Sequence, residues 1–472
     1  MRKKVVVVGA GPGGYTAAIR AAQMGAAVTV IDRESVGGTC LNWGCVPTKT
    51  LKVTAELLSV MNRADEFGIT VNGNIHVDME KVIARKETIV RNLARGIEDL
   101  FDRYGIGYVR GFGRIVENHK VEVTDTEGKK IELDWDRLIL AMGTAPQELP
   151  ALPFDNRCII STNEGVNLRE IPESILIVGG GVNGCEFASI LAALGSKVTL
   201  VETLSRLLPI RSVDEDTSSI LQREMKKRNI TVLLDRTVEK AVMKDGKVQV
   251  TIVPSGTGDH EPVSLSVDKV LVTLGRQPLT SGMGLEKLNI STDAHGWVPV
   301  NERMETGVPG VYAVGDIRGQ SHPMLAHVAS QEGIVAAENA LDGVMIMDYR
   351  VVPLAIFTTP EAASVGLTEK EALEQGHKAR SETFFFRTLA KAQAMGDISG
   401  QVKIVFEDKG KILGIHAIGP HVTDMIAEGA VALSLNATVT DLATTIHAHP
   451  TLSEAFMEAA QSAIGRPILK RP

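Results

Sequence analysis

Two cysteines and a histidine–carboxylate pair hold most of the chemical potential of this chain. Cys40 and Cys45 lie in the segment GGTCLNWGCVPTK, which runs from Gly37 to Lys49. A five-residue offset puts two side chains on different faces of a helix. Gly44 between them permits an irregular turn that would close the gap to disulfide distance. A thiol at a helix start has its thiolate favoured by the helix dipole. Four cysteines in 472 residues cannot form a structural disulfide framework. A zinc site would need more ligands, and no second Cys/His cluster lies nearby, so no metal is expected. The pair therefore reads as redox-active, whereas the isolated Cys158 and Cys185 read as small core residues.

His449 and Glu454 stand in the segment HAHPTLSE near the C-terminus. Pro450 is suited to open a helix. Glu454 would then lie just over one turn along, close enough to hold the imidazole. A carboxylate on one ring nitrogen fixes the tautomer and raises basicity at the other. On the residues alone, a His-x-His segment also fits a metal fragment or a packed core histidine. His447 receives no role.

These groups need a scaffold, and the glycines reveal it. Val5–Val8 is a β-branched run, as a buried parallel strand requires, and leads into Gly9-Ala-Gly11-Pro-Gly13-Gly14. An apolar helical stretch from Tyr15 to Met24 ends at Gly25, and Val28–Ile31 is a second strand ending on Asp32. In this arrangement Gly9 allows the tight turn, Gly11 lets the backbone approach a pyrophosphate, and Gly14 allows close helix packing. The helix N-terminus faces the phosphates, and the acid reaches a ribose hydroxyl. The pattern recurs as Ile175–Val178, then Gly179, Gly181 and Gly184, then a helix to Leu194, then Val198–Val201 and Glu202. Gly14 to Gly25 and Gly184 to Gly195 both span 11 residues, and Gly14 to Asp32 and Gly184 to Glu202 both span 18. Two copies with equal spacing imply two adenine dinucleotides. Glu202 would repel a 2′-phosphate, which favours NAD over NADP, although Arg206 lies nearby. Two further strands end in glycine turns, one at Gly143 and one at Gly315–Asp316, where the carboxylate could accept from sugar hydroxyls or cap a helix.

Composition narrows the class. The length suggests about three domains, and 44% hydrophobic residues suffice for large cores. A net charge of −7 without a basic stripe argues against nucleic acid or anionic membrane as a partner. No apolar run approaches a bilayer span. The start Met-Arg-Lys-Lys mimics an export signal, but the following apolar run stops at Gly9, so no signal peptide is expected and the cytoplasm is the expected compartment.

The first glycine unit, the GGTC…CVPTK segment, the second glycine unit, the Gly315–Asp316 pair and the HAHPTLSE segment stand in the order found in pyridine nucleotide–disulfide oxidoreductases. The chain resembles that family, in particular its dihydrolipoamide-oxidising members, over essentially its whole length. The resemblance implies an α/β fold with two Rossmann-like domains, one for FAD (1–148) and one for NAD (149–271). A central domain (272–346) would complete the FAD site, and a C-terminal α+β domain (347–472) would form a dimer interface. It implies that Lys49 sits near the flavin and pairs with Glu186. Asp316, Met324, Leu325, Ala326 and His327 would contact the rest of FAD, as would Gly143, with Gly113 at the adenine. Val238 and Gly275 would join Glu202 at NAD. Cys40 and Cys45 would be the redox disulfide, with His449 the base, held by Glu454.

The implied reaction is oxidation of dihydrolipoamide, or of a lipoylated protein domain, with NAD+ as acceptor. The implied assembly is a homodimer docked to the acyltransferase core of a 2-oxoacid dehydrogenase complex, or serving glycine cleavage. Met142, Leu279 and Trp43 depart from the family's commoner residues. The rivals are a disulfide reductase running the other way and a docking flavoprotein subunit. Glu202 argues against the NADPH preference of such reductases. A mercuric reductase would carry a C-terminal cysteine pair that the tail 463–472 lacks.

The stretch from Val238 to Val272 alternates and turns often, as β-hairpins do. A charged helix is expected from about Asp78 to Tyr104, packed on the outside. From Val352 onward the pattern predicts strands plus two helices, with Phe384–Phe386 and Gln401–Phe406 in an antiparallel sheet and an apolar helix over Met425–Leu435.

Overall fold

The computed structural model describes residues 2–256, 261–319 and 322–469; the last three residues of the tail lie outside them. Strand β1 (Lys4–Val8) is buried from Val5 onward and lies between β2 (Ala27–Asp32) and β6 (Arg137–Leu140), parallel to both. β3 (Gly107–Glu117) extends the sheet beyond β2, and β4 (Lys120–Asp125) and β5 (Lys130–Asp134) continue it antiparallel. The opposite edge is the strand Val311–Ala313, parallel to β6, which makes seven strands in all. The first glycine unit is thus completed by residues some 170 positions downstream of β6. Helix α1 (Pro12–Gln23) follows β1 and packs on the helix Ala326–Ala340. Glycines make this approach close: a Cβ at Gly333 would lie 2.3 Å from the Gly13 carbonyl oxygen.

Three α-helices and a short 3₁₀ turn, Ala64–Phe67, fill the excursion between β2 and β3. The α-helices are α2 (Gly38–Asn42), α3 (Cys45–Met61) and α4 (Met79–Tyr104). α4 has the expected bounds for a local reason at each end. The Asp78 carboxylate accepts from the Lys81 N–H at 3.1 Å, and Gly105 turns out of the helix at φ +64°.

The second unit repeats the design as a five-stranded parallel sheet in the order Thr231–Leu233, Lys197–Val201, Ser174–Val178, Lys269–Val272, Ile159–Ile160. Its helix, Val182–Ala193, is largely apolar and buried from Gly184 to Leu191, with Glu186 its one charged residue. Where hairpins are expected, three antiparallel strands occur, Arg236–Lys244, Lys247–Pro254 and Val263–Val267.

The C-terminal unit is a five-stranded antiparallel sheet, including Ala379–Phe385 paired with Gln401–Glu407. Phe386 has already left the strand for a short 3₁₀ turn. Five helices occur among the described residues of this region rather than the expected two, because three are of only six residues each and carry no extended apolar periodicity. The longer two are Val422–Ser434, which contains most of the expected apolar helix, and Glu454–Ala463. Lys403 ties this unit to the second one, reaching Asp214 at 3.1 Å and Asp216 at 2.7 Å.

Candidate active site

A cavity of about 1170 Å³ opens at the C-terminal ends of the first sheet's strands, where a doubly wound sheet binds its ligand. Gly9, Gly11 and Asp32 line it from the first glycine unit, and Gly113 and Gly143 from β3 and the turn after β6. Cys40, Cys45, Lys49 and Glu186 line it on another side, and Asp316 with Met324–His327 on a third. The sites expected around one cofactor are therefore brought together. Gly14 is not in the lining. A Cβ there would lie 1.8 Å from the Gly9 carbonyl oxygen, and Gly184 stands in the same relation to Gly179. These two glycines serve the chain's own packing. At Gly11 a Cβ would meet only the Gly38 Cα, at 3.7 Å, and at Gly181 nothing within 4 Å. The space beside these two turns is left for a ligand, so the residues fit a dinucleotide phosphate at each unit.

The acids are fixed before any ligand binds. Asp32 accepts from the Ala10 N–H at 2.5 Å and the Glu34 N–H at 2.8 Å, and burial raises its pKa. Asp316 accepts from Thr144 Oγ1 at 3.0 Å with Arg276 Nε at 3.8 Å. Burial raises its pKa too, against the pull of Arg276. Glu202 accepts from the Gly180 N–H at 2.6 Å, the Leu204 N–H at 2.9 Å and Thr203 Oγ1 at 3.0 Å. Its carboxylate thus helps hold the second glycine turn. Gly275 sits at φ +62° beside Gln147, and Val238 lies in the first strand of the three-stranded sheet with its side chain buried. The Val238 side chain belongs to a core, which leaves its backbone for any ligand contact.

The cysteine segment breaks helix where the sequence requires it. α2 ends at Asn42, Trp43 and Gly44 turn, and Cys45 is the first residue of the 17-residue α3. Both cysteines are thiols here. The Cys40 thiol hydrogen-bonds Cys45 and its own pKa is pushed far up, by that bond and by burial. Cys45 is lowered to about 7, chiefly by the bond from Cys40 and further by the Lys49 charge, against the cost of burial. The two shifts run in opposite directions, so Cys45, at a helix N-terminus, is the more acidic thiol and Cys40 the donor to it. Lys49 Nζ meets Glu186 at 3.0 and 2.9 Å and stands 4.4 Å from the Phe357 ring centre. The Phe357 N–H also donates to Glu186, at 2.9 Å.

His449 does not line this cavity. It lies on the C-terminal unit with 69% of its side chain exposed. Its Nδ1 meets Glu454 Oε1 at 2.8 Å, and Glu454 Oε2 accepts from the Thr451 N–H at 2.8 Å. The expected pair therefore forms, but by a different route. Pro450 opens no helix. It follows a cis peptide bond in a loop, and the helix begins at Glu454 itself. The carboxylate reaches back from the first turn instead of along a continuous helix.

Three comparisons bear on the whole chain. Residues 3–333 match the model of the pyridine nucleotide-disulphide oxidoreductase family, and residues 352–460 match that family's dimerisation domain. The chain belongs to this family. It is 40% identical to the dihydrolipoyl dehydrogenase of Bacillus subtilis, over 98% of each chain. It is 38% identical to the mitochondrial dihydrolipoyl dehydrogenase of Pisum sativum, over 98% of this chain and 92% of that one. Among solved structures, LpdA from Mycobacterium tuberculosis superposes with a TM-score of 0.90 at 29% identity, covering 98% of this chain and 99% of that one.

As an oxidoreductase of this family, the chain uses FAD and NAD. Sequence reasoning missed several residues that shape the cavity. Arg276 Nε donates to Thr144 Oγ1 at 2.5 Å, which in turn holds Asp316. Glu332 accepts from the Gly315 N–H at 2.7 Å and from the Tyr349 hydroxyl at 2.7 Å, and forms a buried ion pair with Arg318. A buried Arg and Glu fourteen residues apart in a chain of mixed charge carry no local signal. The three departures from the family's commoner residues, Trp43, Met142 and Leu279, all line the cavity. Trp43 donates its indole N–H to Glu34 at 3.1 Å. No helix among the described residues is long and apolar enough to cross a membrane.

Proposed function

We propose that this oxidoreductase converts dihydrolipoyl groups to lipoyl disulfides and passes the electrons to NAD+. The observation that carries the reading is the polarised thiol pair inside the dinucleotide cavity, together with the dihydrolipoyl dehydrogenases among the relatives. In the oxidised enzyme Cys40 and Cys45 form a disulfide. A substrate dithiol loses one proton to His449 and its thiolate attacks Cys40. The Cys40–Cys45 bond breaks, leaving a mixed disulfide and the Cys45 thiolate. The second substrate thiol then displaces Cys40, and its proton passes to the departing Cys40 sulfur. The substrate leaves as a disulfide, and the enzyme holds two more electrons on sulfur.

Gly9, Gly11, Asp32 and Asp316 would hold FAD, with Gly113, Gly143 and the Met324–His327 segment along it. When bound it supplies a two-electron relay from Cys45 to NAD+. Lys49, fixed by Glu186, offers a positive charge beside that relay. Gly179, Gly181 and Glu202 would hold NAD, with Gly184 closing the turn behind them and Val238 and Gly275 beyond.

His449 sits apart from its own chain's cysteines, on the family's dimerisation domain. This supports a homodimer in which His449 of the partner subunit completes each site. The natural substrate would be a lipoyl group on a carrier domain, with docking to an acyltransferase core in the cytoplasm.

Anaerobic titration tests the reading. Stoichiometric dihydrolipoamide should reduce the enzyme and shift its flavin spectrum, and NAD+ should reverse the shift with formation of NADH. Reduction by glutathione but not by dihydrolipoamide would assign the enzyme to another disulfide substrate.

A further inference from the structure

The side chain of His447, two residues before His449, is nearly covered, with 6% exposed, while the residue as a whole is half-buried. Its Nδ1 lies 2.9 Å from the Thr445 carbonyl oxygen, and its Nε2 lies 2.8 Å from Glu428 Oε1. Glu428 belongs to the helix Val422–Ser434, which packs into the C-terminal core through Val422, Ile426, Gly429 and Ala432. Both ring nitrogens therefore face oxygen partners, one on the backbone and one on a side chain. This peg joins the loop to a helix that does not itself carry His449.

The rest of the loop is pegged as well. The Thr445 hydroxyl donates to the Asp441 carbonyl at 2.8 Å, and the Thr451 hydroxyl to the Ala448 carbonyl at 2.8 Å. Glu454 holds the Thr451 N–H and His449 Nδ1. Residues 445–451 thus hang between two His–carboxylate contacts. In one the ring is consumed by its partners. In the other Nε2 is left without a partner among the described residues.

We propose that His447, through Glu428, is a positioning residue for the dithiol reaction. It fixes the height and orientation of the loop so that His449 presents Nε2 outward. This rests on His449 being the base. His447 touches no substrate. Its loss changes where His449 stands, and a displacement of about 1 Å at a reacting group costs up to about a hundredfold in rate.

The experiment uses the holoenzyme and four substitutions, with dihydrolipoamide and NAD+ as substrates. His447→Ala and Glu428→Ala should each lower kcat by about tenfold to a hundredfold, with KM for dihydrolipoamide within about twofold. The double variant should be no worse than either single one, because both remove one contact. Glu428→Gln keeps an acceptor oxygen for Nε2–H and should restore most of the rate. NADH oxidation by ferricyanide needs no dithiol base and should stay at the wild-type rate in all of them. Wild-type kcat in both alanine variants, multiplicative losses in the double variant, or a parallel loss of ferricyanide activity would each overturn the assignment. A His449→Gln control separates the two layers. If it is inactive while His447→Ala is normal, the positioning role alone fails. If His449→Gln is fully active, the reading of His449 as base fails first.

Discussion

Lys49 and Glu186 stand 137 positions apart in sequence, one on α3 and one on the helix of the second glycine unit, yet their side chains meet at 2.9 Å. The contact joins the cysteine helix to the second dinucleotide unit at the wall of the cavity. Glu186 is buried, and Lys49 is its sole cationic partner among the described contacts. Lys49→Met would leave an uncompensated carboxylate there. A loss of about 3 kcal/mol of stability is expected, read as a lower midpoint in urea. Glu186→Gln, which keeps an acceptor for the Phe357 N–H, should cost less.

The thiol polarity gives a pH dependence with a definite sign. Cys45 is lowered to about 7, so in the reduced enzyme its thiolate prevails above that pH and is lost below it. Labelling of Cys45 by iodoacetamide, followed by mass, should fall by about tenfold per pH unit below the midpoint. Cys40→Ala removes the hydrogen bond that contributes most to the lowering, and the midpoint should move up. A midpoint unchanged in Cys40→Ala would mean that Lys49 and the helix N-terminus suffice.

The glycines divide by the neighbours a methyl group would meet. Gly14→Ala drives a Cβ into the Gly9 carbonyl and should unfold the first unit. Gly11→Ala finds room in the protein, so the variant should fold but lose FAD on gel filtration. Gly181→Ala should likewise fold, keep its flavin and lose NAD affinity. Circular dichroism with flavin absorbance distinguishes the three.

NAD should be preferred to NADP by about a hundredfold in kcat/KM, from like-charge contact of Glu202 with a 2′-phosphate. Glu202→Ala should narrow that ratio. It should also weaken both cofactors, since the same carboxylate holds the Gly180 and Leu204 N–H groups. An unchanged ratio would remove Glu202 from the specificity argument.

If His449 serves the partner's cysteines, Cys40→Ser and His449→Gln homodimers should each be nearly inactive, but their mixture should not be. A mixed dimer has one site with both lesions and one with neither. Random exchange makes half the dimers mixed, so about a quarter of wild-type activity should return. A mixture that stays inactive, with exchange shown by native mass, would place His449 at its own chain's site.

Much of this was legible because it is local. Each glycine unit announces strand, turn, helix and acid within thirty residues, and α4 carries its own cap residues, Asp78 and Gly105. The cysteine turn was legible because Gly44 is the one residue between the thiols that frees the backbone. The His449–Glu454 pair was legible as a pair, but its mechanism was not, since Pro450 reads alike at a helix start and after a cis bond. What stayed hidden is what distance in sequence conceals. Arg276 on Thr144 and Glu332 under Gly315 are set by how sheets and helices stack, and charge alone does not pick the partner; Lys49 on Glu186, equally distant, was readable only through the family resemblance.

The strand Val311–Ala313, added beside β6 after the whole second unit, also governs how the molecule comes into being. Synthesis proceeds from the N-terminus, so the nested unit, closed by Lys269–Val272, is complete while its host still lacks an edge strand and the helix Ala326–Ala340. The ribosome has therefore released about 360 residues before the first cavity, which Ala355 and Phe357 also line, has all its walls. Flavin capture is an event that must wait until the growing chain has passed well beyond its second unit.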